Sequence, residues 1–139
     1  VAAVKEGLRD GTLDVIASDH APHSSLEKDV EFDNAAFGMI GLETSLAFTL
    51  ALVRENVLTL SQAIEKYTLH PARILHLNKG ALAPGGDADI TIIDPSAEWT
   101  VDRNCFFSKS KNSPFHGWHL KGKVAYTIVA GNVVFPFKQ

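Results

Sequence analysis

The 139-residue chain has one cysteine, Cys105, so no internal disulfide braces it, and a lone thiol fits a reducing compartment. It has no basic excess. Thirteen Lys and Arg face sixteen Asp and Glu, a formal charge of −3, which lacks the electrostatic footprint of a nucleic-acid binder. Long hydrophobic runs are also missing. The longest apolar stretch, residues 45–53, is too short to cross a bilayer, so no membrane partner is expected. The first residues carry no signal-peptide pattern, because Lys5, Glu6, Arg9 and Asp10 interrupt them. No Met stands at position 1. Val1, Val4 and Leu8 share a helical face ahead of Gly11, a residue suited to a C-terminal cap. The start therefore reads as the tail of a helix already under way, and the chain as a piece of a longer protein. There is no internal repeat and no His-x-His pair.

What is present suffices for a core, since 45% of the residues are hydrophobic. Residues 12–17 alternate little and read as a strand buried on both faces, as in a parallel sheet. A polar segment, 19–34, follows and is long for a simple connection. Residues 43–55 predict a helix packed on most of its surface. A second helix runs from about 60 to 67, opened by a capping box with Thr59 as N-cap and Gln62 reaching back. A third, short helix is expected to open at Pro71 and to stop at Gly80. Beyond residue 80 the pattern changes to strands at 88–93, 99–101, 124–130 and 133–137. Asp94-Pro95-Ser96 reads as a turn, and Gly131-Asn132 as the link of a hairpin. The Ser-, Lys- and Gly-rich stretch 106–123 reads as a mobile loop.

The chemistry-bearing residues gather in "DVIASDHAPH", residues 14–23. A carboxylate just past the C-terminal end of a buried parallel strand is where βα-barrel enzymes place catalytic groups. Asp19 could there ligate a metal and move a proton, although an aspartate shortly before a proline is also ordinary turn chemistry, and position alone leaves both open. His20 and His23 are spaced like a metal pair, but Pro22 disfavours a regular helix between them. An exposed loop histidine is the plainer reading for His20, and His23 stands even between that and a contact to a substrate carboxylate. His116 and His119 read as structural or exposed, His70 as capping or packing, His76 as exposed. Gly38 and Gly41 permit close backbone approach, or simply a helix-entry turn. Zinc hydrolases take three or four N, O or S ligands, and one plausible carboxylate is in view. Any metal site would be completed by residues outside this chain.

Four stretches, in this order, resemble the C-terminal part of the dihydroorotase family of the amidohydrolase superfamily. They are "DVIASDHAPHS", "FGMIGLETSLAFTL", "HPARILHLNKGALAPGGDADITIIDP" and "SKSKNSPFHGWHLKGKVAYTIVAGNVVF", which together cover essentially the whole chain. The "GALAPGGDAD" portion is shared across the superfamily. The Ser-Asp-His-Ala-Pro-His segment, combined with Phe-Gly-x-x-Gly-Leu-Glu-Thr, is much more specific.

The resemblance implies an α/β fold: the C-terminal part of a (β/α)8 TIM barrel of the metal-dependent hydrolase type, plus the C-terminal share of a small β-sandwich domain. Residues 1–79 would be the last βα portion, with strand eight at about 12–17 and trailing helices. Residues 80–139 would be the sandwich share. The reaction implied is the zinc-dependent interconversion of (S)-dihydroorotate and N-carbamoyl-L-aspartate in pyrimidine biosynthesis. Asp19 would be a metal ligand and would take the proton of the attacking water and pass it to the departing ring nitrogen. His23 would bind the substrate carboxylate, and the backbone at Phe37 and Gly38 would hydrogen-bond the ring amide. His20 is assigned no direct role. One or two zinc ions, a cytoplasmic location and a homodimeric parent are further implications, and the piece alone is expected to be inactive. His70 stands where the family often has Asn, and His76 where Gly is common. The competing expectations are an allantoinase or hydantoinase-like cyclic amidohydrolase, and a non-catalytic dihydroorotase-like scaffold. Asp19 speaks against the scaffold and His23 for an acidic substrate.

Overall fold

Helices lead and a sheet closes the chain in the computed structural model, which describes residues 1–136. Helix α1 spans Ala2–Asp10 and ends at Gly11, which takes the left-handed cap conformation that its position in the sequence suggests. Only Leu8 of its apolar face is buried. It packs with Val57, Leu58 and Ala63, against which Ile16, Leu52 and Val53 also lie. Helix α2, Ser25–Lys28, is a single turn with a Ser24/Glu27 capping box, and a 3-10 turn follows at Phe32–Asn34.

Helix α3, Leu42–Arg54, is the spine of the fold. Thr44, Ala47, Thr49 and Leu50 are its buried residues. Helix α4, Leu60–Tyr67, begins as expected, with the Thr59 hydroxyl accepting from the Gln62 N–H at 3.2 Å and the Gln62 side chain reaching back to Thr59. Helix α5, Leu69–Ile74, opens two residues before the expected start. Pro71 still falls in the first turn, where its missing N–H costs nothing. Gly80 does not terminate α5. The chain leaves the helix at Leu75 and His76, and the Leu77 N–H closes on the Ala72 carbonyl at 2.8 Å.

Residues 12–17 pair with no strand among the described residues, contrary to the expectation. A parallel barrel strand needs a strand on each side, and the described residues supply none there. Its backbone groups turn to the helices instead. Lys66, buried on α4, donates its ammonium to the Leu13 carbonyl, His70 Nδ1 donates to the Asp14 carbonyl at 2.9 Å, and the Ile16 N–H reaches the Lys66 carbonyl at 3.1 Å.

The sheet is antiparallel, ordered β1-β2-β3, with β1 at Ile90–Thr100, β2 at His119–Val129 and β3 at Asn132–Phe135. The two short strands expected at 88–93 and 99–101 are one bulged strand. Asp94 pairs with Lys123 and Glu98 with Lys121, so residues 95–97 stand opposite Gly122 alone. Asp94 Oδ1 accepts from the Ser96 hydroxyl and N–H and from the Ala97 N–H, which stabilises the bulge and holds the Asp94 carboxyl below its usual range. The hairpin turns at Ala130-Gly131, one residue earlier than expected, with φ of 48° and 79°. Of the last expected strand, 133–137, residue Phe137 lies outside the described residues.

The sheet packs closely on α3 at Gly122. Gly122 is buried, and a Cβ there would stand 2.4 Å from Leu50 Cδ1. The stretch 106–123 is no mobile loop, as its sequence suggested. Its last residues belong to β2, Ser113 is buried, and Phe115 packs between Phe48 and Trp118 with ring centroids 4.6 and 5.2 Å away. Two of the polar residues that make it look solvated are spent on backbone partners: the Lys111 ammonium donates to the Phe106 and Ser108 carbonyls at 2.8 and 2.9 Å, and the Ser110 hydroxyl to the His23 carbonyl.

Candidate active site

Asp19 stands at φ 44°, a left-handed backbone that an aspartate tolerates better than most residues and that ends the segment coming from α1. The next residue begins a short parallel contact, with His20 opposite Met39 and the Ala21 N–H donating to the Met39 carbonyl at 3.0 Å. The polar stretch 19–23 and the glycine-bearing stretch 37–41, both flagged in the sequence, therefore run side by side ahead of α3.

His20 has a structural task. Its Nδ1 accepts from the Gly41 and Leu42 N–H groups at 3.2 and 3.4 Å, capping α3 where donors are otherwise left over. His23 faces the other way. Its Nδ1 lies 3.7 Å from Glu27 Oε1, and its Nε2 lies 3.9 Å from where a Cβ on Gly38 would be. The Ser24 N–H and hydroxyl, and then the neighbouring His23, hold the Glu27 carboxyl below its ordinary range.

His23 and Gly38 line a common cleft of about 510 Å³ with Lys28, Arg103, Lys111 and Asn112 among its walls. Phe37 and Asp19 are not in that lining. Phe37 is 92% exposed, so its side chain packs little against the rest of the protein. Gly38 sits at φ 100° with Ala21 Cβ 2.6 Å from where its own Cβ would be, so close approach and backbone conformation both require glycine. The Gly38 carbonyl accepts from the Lys28 ammonium at 3.2 Å and from Asn112 Nδ2 at 3.4 Å.

The sequence reading missed Ser110 and Asn112. Ser110 Oγ donates to the His23 carbonyl at 2.6 Å and accepts from the His23 N–H at 3.2 Å. Asn112 Nδ2 donates to the Ala21 carbonyl at 2.9 Å, and the Asn112 carbonyl accepts from the Ile40 N–H at 3.3 Å. The only signal in the sequence is that two short polar residues flank a lysine ahead of a proline. Among the described residues no three His, Cys, Asp or Glu side chains gather to hold an ion. Asp19 alone fits one corner of a metal site, short of the three or four donors zinc takes. No helix among the described residues is long and apolar enough to cross a membrane. His116 and His119 make local contacts. His116 Nδ1 accepts from the Arg103 N–H at 3.3 Å, and His119 Nδ1 lies 3.0 Å from the Thr100 hydroxyl across the β1–β2 pair.

The model of the amidohydrolase family matches residues 1–134, and the chain belongs to that family. Among curated proteins, it is 58% identical over 135 residues to a dihydroorotase of Geobacter metallireducens, covering 97% of this chain and 32% of that one. To a dihydroorotase of Syntrophus aciditrophicus it is 54% identical over 133 residues, covering 96% of this chain and 31% of that one. Among solved structures, L-hydantoinase (dihydropyrimidinase) from Arthrobacter aurescens superimposes with a TM-score of 0.88 at 34% identity, over 96% of this chain and 31% of that chain. Dihydropyrimidinase from Brevibacillus agri gives 0.87 at 25% identity, over 95% and 30%. The chain thus spans about a third of the length of the curated relatives it matches. Its fold is α/β, the C-terminal part of the amidohydrolase TIM barrel with a share of the small sheet domain.

Proposed function

We propose that the full-length protein is a dihydroorotase, a zinc-dependent cyclic amide hydrolase interconverting (S)-dihydroorotate and N-carbamoyl-L-aspartate in de novo pyrimidine biosynthesis. The observation that carries this reading is that His23 and Gly38 line one cleft, with His23 Nε2 3.9 Å from where a Cβ on Gly38 would be. In the same reading residues 1–79 are the last βα portion of the barrel and residues 80–139 the sandwich share. The parent is a cytoplasmic homodimer.

Each residue then has a task set by its place. The His23 imidazole presents Nε2 to the substrate carboxylate, while Nδ1 faces Glu27. The Gly38 carbonyl is already engaged by Lys28 and Asn112, so the ring amide is met by the Gly38 N–H and the Phe37 carbonyl. Asp19 accepts the proton of the attacking water and returns it to the ring nitrogen as the C–N bond breaks. Zinc, with Asp19 as one ligand and the others from outside this chain, would polarise the amide carbonyl and lower the pKa of water.

The test is an assay of the full-length protein on dihydroorotate, allantoin and a hydantoin. Dihydroorotate turnover is expected, with Asp19→Asn lowering kcat by roughly 10²–10⁴-fold, the usual contribution of a positioned acid–base group. Clear allantoin or hydantoin turnover without dihydroorotate turnover would replace this reading. The likeness to the Arthrobacter hydantoinase makes that second reading specific. His23 favours the first, because a hydantoin ring need not carry a carboxylate for an imidazole to bind.

A further inference from the structure

Resting on that reading, we propose that Asn112, assisted by Ser110, is a positioning residue for substrate. It fixes His23 and the Gly38 backbone relative to each other from a segment 91 residues beyond Ala21 and 74 beyond Gly38.

Asn112 touches both walls of the cleft. Its Nδ2 is shared between the Ala21 carbonyl on the histidine side and the Gly38 carbonyl on the glycine side, at 2.9 and 3.4 Å. Its own carbonyl accepts from the Ile40 N–H, so it also holds the 37–41 stretch from beyond the glycine. Ser110 grips the backbone of His23 at both its carbonyl and its N–H. A planar amide that bridges two backbone segments sets their separation, and here that separation is the distance between the carboxylate contact and the ring-amide contact. Lys28, the other donor to the Gly38 carbonyl, reaches the Ala36 and Gly38 carbonyls on one wall and so cannot set that distance.

The clamp is itself held rigidly. The Ser108 N–H donates to Glu43 Oε1 at 3.1 Å at the start of α3, Lys111 closes its own loop, Ser113 is buried, and Phe115 is packed on Phe48. Asn112 thus transmits the position of α3 and the sheet to the cleft. Loss of its amide would leave the part-buried Ala21 carbonyl short of a donor, leave Gly38 to Lys28 alone, and free the walls to separate.

The experiment uses the full-length protein with Asn112→Ala, His23→Ala and the double variant. Asn112→Ala is expected to lower kcat/KM for dihydroorotate about 10–100-fold, chiefly through KM, because the lost contact orders bound substrate. The double variant is expected to fall within about twofold of His23→Ala, since Asn112 acts through that residue. Multiplicative losses in the cycle, or a loss confined to kcat with unchanged KM, would overturn the proposal. If the wild type prefers another cyclic amide, the assignment to dihydroorotate falls while the same cycle is read on that ring. Hydrogen exchange measured by mass spectrometry provides a readout independent of turnover. Asn112→Ala should speed exchange in both 20–23 and 37–41 while leaving α4 unchanged. Unaltered exchange in those two stretches, or acceleration throughout the protein, would equally refute a positioning role.

Discussion

At the end of α5 the chain passes through His76 at φ 55°, and the N–H groups of His76 and Leu77 bond back to the Arg73 and Ala72 carbonyls at 3.1 and 2.8 Å. This is a Schellman closure with an imidazole in the place that glycine usually takes. The left-handed conformation costs an L-residue about 1–2 kcal/mol, and the greater unfolded-state freedom of glycine returns part of that. His76→Gly is therefore expected to stabilise the full-length protein by about 0.5–1 kcal/mol, read as a rise in melting temperature with unchanged activity. An unchanged or lowered melting temperature would count against this account of the turn. At this scale the sequence was informative wherever partners are close in the chain. Thr59 and Gln62 announce α4 because a capping box spans three residues, and Gly11 announces the end of α1. Ser110 and Asn112 were illegible because their partners at 21–23 and 38–40 are reached only after the whole chain has folded, and their composition resembles that of any solvated loop.

Between elements, the tightest register is that of α3 against β2. Gly122 has φ 102° and leaves room that Leu50 fills. Trp99 Nε1 donates to the Gly122 carbonyl at 3.0 Å, and Arg54 donates to the Lys121 carbonyl at 3.3 Å. A methyl at Gly122 would force the helix and sheet apart and strain the backbone, costing about 2–4 kcal/mol by overpacking and φ strain together. Gly122→Ala should lower the denaturant midpoint accordingly. In Gly122→Ala with Leu50→Ala the two losses should be less than additive, because the smaller side chain clears the space. Strict additivity would mean that the contact is not the cause. The strands were half legible from sequence for the same reason. Alternation marked their apolar residues, but whether Asp94-Pro95-Ser96 turns the chain or bulges it depends on a partner, Gly122, that alternation does not reveal. Residues 12–17 carry the pattern of a barrel strand, and what they lack is neighbours.

The molecule as a whole leaves much apolar surface uncovered. Val1, Val4, Leu26, Phe32, Phe37 and Leu42 are exposed on the helical part. Single exposed residues are ordinary, but this many offer apolar surface for another chain to cover. The 139-residue chain taken alone is accordingly expected to self-associate, with a mass that rises with concentration in sedimentation, and to bind well under one zinc per chain. A monodisperse monomer carrying stoichiometric zinc would contradict both expectations.

The Ser110–Asn112 bridge has a consequence for recombination. A chimera that joins the helical part of one cyclic amidase to the sheet part of another, crossing over near residue 80, would look like an exchange of a supporting domain. It would also exchange the residues that space the two walls of the cleft. Substrate preference would then travel with the half that holds no proposed catalytic group, and a crossover that respects ring specificity would have to keep residues 106–118 with residues 19–41.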